Sequence, residues 1–488
     1  MKLSVLAIFI ALWVSVLAAA WGNDYQGGDN DDDHYHCHHH RGDDGNDHQD
    51  CNHQTGHATP VFGRTLSGTP YPPSPRANEP DDDEPGSVIP NPGGPIVPSS
   101  PPVNFRFMGA GNNGTNPPIP RAKRQSCGGS GIVFDTSTAF DSDTDIGVNG
   151  SPAEPSGAKS GNVIFSTSNW IAAISTDGGA TFTVIDPTVY AGPANPATDG
   201  GFCCDQVVQY LPSIDRFVWL LQYTNTNNSN SALNVNRLRL ITFHPSDVDT
   251  KGINSWIYMD ILSSNGWFDY GELGVGTTQL YLSTTLYGPT RGLVVFRIPI
   301  EALNVVGSLT YRQTNVNDGT VAQGSRLSQN PDDTVFWAGH SDPGTTVRVF
   351  KWTESSTSYS WNDLTIDSWP SNTSNFVSTC PGNRTTNWLF VNSANNIIGS
   401  TRRSNNEVWF GWNANSGGGF PNPHAQVVQV NVADWPSISK IKQWQIWNPN
   451  FAFAFPYFYT SSECDDVGLA VVFGGGSFNP SSALVVLS

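Results

Sequence analysis

From residue 125 onward, a short apolar run bounded by turn residues keeps returning, and this recurrence restricts the fold more than any other feature. The runs are Asn162-Val163-Ile164-Phe165, Arg216-Phe217-Val218-Trp219-Leu220-Leu221, Gln279-Leu280-Tyr281-Leu282, Thr334-Val335-Phe336-Trp337, Glu407-Val408-Trp409-Phe410 and Val467-Gly468-Leu469-Ala470-Val471-Val472. Their starts lie roughly 55 to 70 residues apart, a period that suits repeated multi-strand units. Most are followed by a Gly/Asn/Ser-rich turn and another run, such as Leu293-Val294-Val295-Phe296. Runs of this length flanked by turn signals read as strands. Several short strands per unit at a near-fixed period predict an all-β fold, a six- or seven-bladed β-propeller. Gly131-Ile132-Val133-Phe134 is the candidate to complete the last blade and close the ring. Closure hides sheet edges that otherwise recruit foreign strands.

The chain before this pattern is of a different kind. Lys2, the apolar stretch Leu3–Leu17 and the small residues Ala18-Ala19-Ala20 have the layout of a secretory signal over residues 1–20. Residues 21–124 are first rich in His and Asp, then in Pro, Gly and Ser, a composition expected to stay disordered. The dibasic pair Lys123-Arg124 closes this segment and reads as a processing site, which leaves residues 125–488 as the propeller domain. The expected location is therefore secreted and extracellular. Five Asn-x-Ser/Thr sequons, at Asn113, Asn149, Asn227, Asn372 and Asn383, are candidate glycosylation sites on exposed loops.

The formal net charge is −18, so no basic surface is expected to grip nucleic acid or an anionic membrane. A monomer is expected. An oxidising compartment favours disulfides. Cys203 and Cys204 are adjacent and either pair with each other or reach separate partners; Cys37 and Cys51 can close a short loop. The tract containing His34, His36, His38, His39 and His40 offers imidazole ligands for Zn2+ or Cu2+, although its spacing matches no structural zinc motif. The competing reading of that tract is a solvated low-complexity arm. A Ca2+ ion among loop carboxylates such as Asp465-Asp466 is compatible with the sequence.

Ser175-Thr176-Asp177-Gly178-Gly179-Ala180-Thr181-Phe182 fits the Asp-box, Ser-x-Asp-x-Gly-x-Thr-Trp/Phe, and on it the chain resembles secreted sialidase-like propellers. The resemblance implies a hairpin turn away from the active face, so it bears on fold and not on chemistry. Phe296-Arg297-Ile298-Pro299 is similar to the segment whose arginine binds the substrate carboxylate in sialidases. Here it follows the Asp-box instead of preceding it, which puts that role of Arg297 in doubt.

Propeller ligands bind at the mouth of the central channel. Aligning the units on their apolar runs brings Asp205 and Gln206, Asp269 and Tyr270, Ser325 and Arg326, Asn383 and Arg384, and Pro456 and Tyr457 to equivalent places. Gln206, Arg326, Arg384 and Tyr457 are the candidate ligand-binding residues. Asp205, Asp269, Glu272 and Tyr270 are the catalytic candidates, because glycoside cleavage uses paired carboxylates or, in sialidases, a carboxylate-activated tyrosine. Tyr270 and Glu272 are two apart and share a face on a strand. Carboxylates that cap loop N–H groups would explain the same residues structurally. Three functions compete: extracellular recognition of glycan or cell-wall polymer; a carbohydrate-active enzyme, either glycoside hydrolase or polysaccharide lyase; and metal binding through the His/Asp tract.

Overall fold

In the computed structural model the described residues are 55–58, 61–67, 69–71, 106–109 and, from 154 to 487, all except 170, 191–201, 224–235, 264–265, 288–291, 315–324, 341–344, 372–375, 380–386, 390–396, 405, 461–465 and 477. Four short strands precede the boundary: β1 (Thr55–Ala58), β2 (Val61–Ser67), β3 (Thr69–Tyr71) and β4 (Arg106–Gly109). The first blade is β5 (Ser156–Ser160), β6 (Val163–Thr167), β7 (Ala172–Ser175) and β8 (Thr183–Ile185). The second is β9 (Phe202–Leu211), β10 (Arg216–Tyr223) and β11 (Arg237–Phe243), then, after the small hairpin of β12 (Val248–Asp249) and β13 (Gly252–Ile253), β14 (Trp256–Leu262). The third is β15 (Trp267–Val275), β16 (Gln279–Tyr287), β17 (Gly292–Pro299) and β18 (Ser308–Gln313). The fourth has β19 (Thr334–His340), β20 (Thr346–Thr353) and β21 (Tyr359–Thr365). The fifth has β22 (Ile397–Ser404), β23 (Glu407–Ala414), β24 (His424–Asp434) and β25 (Ser437–Trp447), and the sixth β26 (Ala452–Thr460), β27 (Val467–Gly475) and β28 (Phe478–Leu487).

Each blade is an antiparallel meander, and six such sheets make a six-bladed propeller. That resolves the six-or-seven alternative left by the sequence period. The segment Gly131–Phe134 lies outside the described residues.

The blades are held together by five hydrophobic layers, one between each consecutive pair, and the two-residue side-chain period of a strand explains how one run serves two layers. In β10, Val218 and Leu220 pack into the layer shared with blade three. Phe217, Trp219 and Leu221 pack into the layer shared with blade one. In β23, Val408, Phe410 and Trp412 face blade four, while Trp409 faces blade six. Both faces of these strands are buried, so their sequences are continuous apolar runs. Tryptophans fill these wedges: Trp219, Trp337, Trp352, Trp409 and Trp412 are fully buried, so Trp409 and Trp412 are core rather than sugar-stacking surfaces.

The segment expected to be disordered departs from that expectation at its described residues. β3 adds to the outer edge of β14, β2 to β18, β1 to β21 and β4 to β25, all antiparallel. A Pro/Gly-rich chain is already extended, and an open sheet edge offers it unpaired main-chain groups. Composition shows the first of these facts and is silent on the second.

The Asp-box folds as its residue types require. It joins β7 to β8. Ser175 Oγ donates to Asp177 Oδ1 at 2.8 Å, and Asp177 accepts the N–H of Thr181 at 2.9 Å and its hydroxyl at 2.6 Å. Gly178 and Gly179 take φ of 79° and 98°, which glycine adopts without Cβ strain. These donors hold the Asp177 carboxyl well below the usual range.

Candidate functional site

The innermost strands of blades two, three and six carry the same irregularity. Asp205, Tyr270 and Phe455 are each skipped by the ladder to the neighbouring strand and have φ of 47°, 39° and 57°. A non-glycine residue in this region is uncommon and needs external support. The support is the same each time. The N–H of Asp205 donates to Asn169 Oδ1 at 3.2 Å, that of Tyr270 to Gln222 Oε1 at 2.9 Å, and that of Phe455 to Asn413 Oδ1 at 2.7 Å. In every case the amide side chain comes from the preceding blade. β-Bulges re-aim side chains next to sites, and these three bring polar groups of different blades together around the channel.

One half of the cluster is a carboxyl pair. Glu154, immediately before β5, is hydrogen-bonded to Asp205. Burial, that hydrogen bond and the adjacent Asp205 charge push Glu154 up to about 10, so the pair keeps a shared proton at neutral pH. Burial also raises Asp205, while the hydrogen bond from Glu154 pulls it down. Glu154 Oε2 is buried without a hydrogen-bond partner. Asp269 completes this half: its Oδ1 accepts Trp267 Nε1 at 3.2 Å and Gln222 Nε2 at 3.3 Å.

The other half centres on Glu272, which is 3% exposed. Its Oε1 accepts Tyr457 Oη at 2.8 Å and Gln329 Nε2 at 3.0 Å, and its Oε2 is 3.6 Å from Arg326 Nε. Burial raises the Glu272 carboxyl against the pull of Arg326 and Tyr457. Burial likewise drives the Tyr457 and Tyr270 phenols up. The Arg326 guanidinium carbon stands 3.5 Å from the centre of the Tyr270 ring, a cation–π contact. Arg326 therefore bridges the two halves, and its charge acts on Glu154, Asp205, Tyr270 and Glu272 alike.

Asp205, Asp269, Tyr270, Glu272, Arg326 and Tyr457 are thus brought together from separate blades. The tyrosine bonded to Glu272 is Tyr457, not Tyr270, because the bulge at Tyr270 breaks the two-residue alternation that would have aligned them. Gln206 has another task. It is 1% exposed, its Nε2 donates to Ser168 O at 2.8 Å, and its Oε1 accepts Trp219 Nε1 at 3.0 Å. It ties blades one and two together beneath the site. Arg297 lies between blades three and four, donating to Thr353 O at 3.1 Å and Ser356 O at 2.8 Å and resting on Trp352.

Glu154, Gln222 and Gln329 were missed. Extending the unit alignment back to blade one would have reached Glu154; nothing marks Gln222 or Gln329 among the many amides of this chain. Arg384, Lys123, Arg124, the five sequon asparagines, Cys37, Cys51, Asp465 and the five tract histidines lie outside the described residues. Among the described residues no three His, Cys, Asp or Glu side chains are grouped to hold a metal. His424 opens β24; it is buried, stacked on Phe420 at 4.0 Å, and burial pushes it down to about 4.

No family model and no curated protein matches the chain. Among solved structures it is similar to a subtype N10 neuraminidase-like protein of A/little yellow-shouldered bat/Guatemala/060/2010, at 9% identity over 69% of this chain and 94% of that one, with a TM-score of 0.38. It is similar to Trypanosoma rangeli sialidase at 10% identity over 70% of this chain and 55% of that one, TM-score 0.36. It is also similar to Cellvibrio cellulosa alpha-L-arabinanase at 10% identity over 69% and 91%, TM-score 0.30. Likenesses this distant carry no argument about activity. The resemblance to sialidase-like propellers holds at the level of the fold, and the blade count rests on the sheet topology.

Proposed function

We propose that this chain is an extracellular glycan-recognition propeller, with its ligand held at the axial cluster of Glu154, Asp205, Asp269, Tyr270, Arg326, Glu272 and Tyr457. The observation that carries the reading is the convergence of four carboxyls, one guanidinium and two phenols from different blades, with Asp205 and Tyr270 held on strained bulges. Buried ionisable groups cost free energy unless they are paired, so a purely structural channel gains nothing from gathering them. Their chemistry suits hydroxyl-rich ligands, since carboxylates accept from sugar hydroxyls and a guanidinium donates in return.

A second reading, glycoside cleavage, is favoured by one observation. The Glu154–Asp205 pair retains a proton at neutral pH, which is what a general acid toward a glycosidic oxygen requires. A panel of neutral, acidic and amino oligosaccharides, assayed for both binding and release of reducing ends, tests both. Saturable binding that is lost on Arg326→Ala, without turnover, supports recognition. Turnover abolished by Asp205→Asn and Asp269→Asn supports the enzyme. No binding and no turnover across the panel refutes the glycan reading.

A further inference from the structure

The four strands that precede Lys123-Arg124 follow an order of their own. β1 lies on blade four, β2 on blade three and β3 on blade two. These three strands therefore follow the outside of the propeller in the direction opposite to the blades. Later β4 takes the edge of blade five. Four consecutive blades thus receive their outermost strand from residues before the dibasic boundary. The pairings are Thr55–Ala58 with Tyr359–Asn362, Val61–Ser67 with Ser308–Gln313, Thr69–Tyr71 with Trp256–Tyr258, and Arg106–Gly109 with Trp444–Trp447.

We propose that the outer edges of β14, β18, β21 and β25 are β-augmentation sites whose occupants are this chain's own strands β1 to β4, and that these strands stay clamped to the propeller after cleavage at Arg124–Gln125. Hydrolysis of that one peptide bond, with water supplying the new carboxylate and amine, removes a tether and none of the inter-strand hydrogen bonds. Strand addition draws its affinity from main-chain hydrogen bonds along an exposed edge. Each added strand is short, but they are covalently linked, so release of one leaves it at high effective concentration near its own edge. The same strands cover edges that would otherwise pair with a second copy of the chain. The processed protein is then a two-piece assembly. The tract from His34 to His40 stays attached to it, because it is continuous with β1.

The test uses the full chain with a protease recognition sequence inserted after Arg124. It is cut under native conditions and passed through size exclusion with intact-mass detection, alongside deuterium exchange of the propeller strands. The expected result is co-elution of the two fragments at the mass of one chain, with slow exchange along β14, β18, β21 and β25. Leu66→Pro removes a main-chain donor within β2; it should speed exchange in β18 at least tenfold while leaving the inner strand β15 unchanged. Separate elution of the N-terminal fragment overturns the proposal, whether or not the propeller then self-associates. Co-elution at twice the mass also overturns it, since the strands would then come from a second copy.

Discussion

Replacing Glu154 by Gln tests the most specific electrostatic feature of the axial cluster. In the folded protein Glu154 titrates near 10, against 4.5 for the unconstrained side chain. Between about pH 5.5 and 9 the native state therefore binds one proton that the unfolded chain has released. A carboxyl raised in the native state loses stability as pH increases from its unfolded value toward its folded one. The slope for one full proton is about 1.4 kcal/mol per pH unit, or about 2.7 kcal/mol between pH 6 and 8. Glu154 is only half-buried, so we take about 1 to 2 kcal/mol as the range that solvent screening leaves. Glutamine offers an amide N–H to Asp205 in place of the carboxyl O–H and has no proton to lose. The more distant carboxyls are common to both proteins, so subtracting the two pH profiles isolates the Glu154–Asp205 pair. Urea unfolding at pH 6, 7 and 8 should show Glu154→Gln gaining on the wild type by that amount as pH rises. Parallel profiles, or a wild type that gains on the variant, would refute the shared-proton assignment.

The bulge clasps and buried networks give three further expectations. Asn413→Ala leaves the Phe455 N–H without its acceptor and should cost about 1–3 kcal/mol in urea unfolding; an unchanged midpoint would mean that solvent replaces the amide. Tyr457→Phe removes a donor from buried Glu272 and should cost about 1 kcal/mol. It should also steepen the loss of stability at rising pH, because Glu272 would lose an interaction that holds its carboxyl down; a slope equal to the wild type's would contradict this. Glu407→Ala removes the ion-pair partner from Arg403 and the acceptor from Trp409 Nε1 and Gln429 Nε2 in the core of blade five, with an expected loss of about 3–5 kcal/mol by thermal or urea unfolding.

The blades were legible because the physics that makes them is local. A run such as Phe217–Leu221 is apolar at every position only if both faces of its strand are covered, and a fixed spacing between such runs then implies stacked sheets. The same alignment placed Asp205, Asp269, Tyr270, Arg326 and Tyr457 near one another, since it amounts to aligning inner strands. Two things were not legible. The partner of Glu272 was misassigned because a bulge shifts facing by one residue, and nothing in Asp269-Tyr270-Gly271 announces which residue is skipped. The placement of β1 to β4 was invisible because edge pairing is made by main-chain groups, which every residue other than proline supplies in full. Gln206 stood beside Asp205 in sequence, yet its side chain points to the opposite side of the strand, into the joint with blade one.

The three amide clasps make the site a property of the joints and not of any single blade. Asn169 fixes the angle at which Asp205 is presented, Gln222 that of Tyr270, and Asn413 that of the bulge before Tyr457. Blades one, two and five thus each carry the alignment pin for the next one along, as a stone of an arch sets the seat of its neighbour. A blade transplanted alone would bring its polar residue but not its aim. Variation within one blade would be felt first in the groups of the blade that follows, so the polar character of this channel is inherited in adjacent pairs.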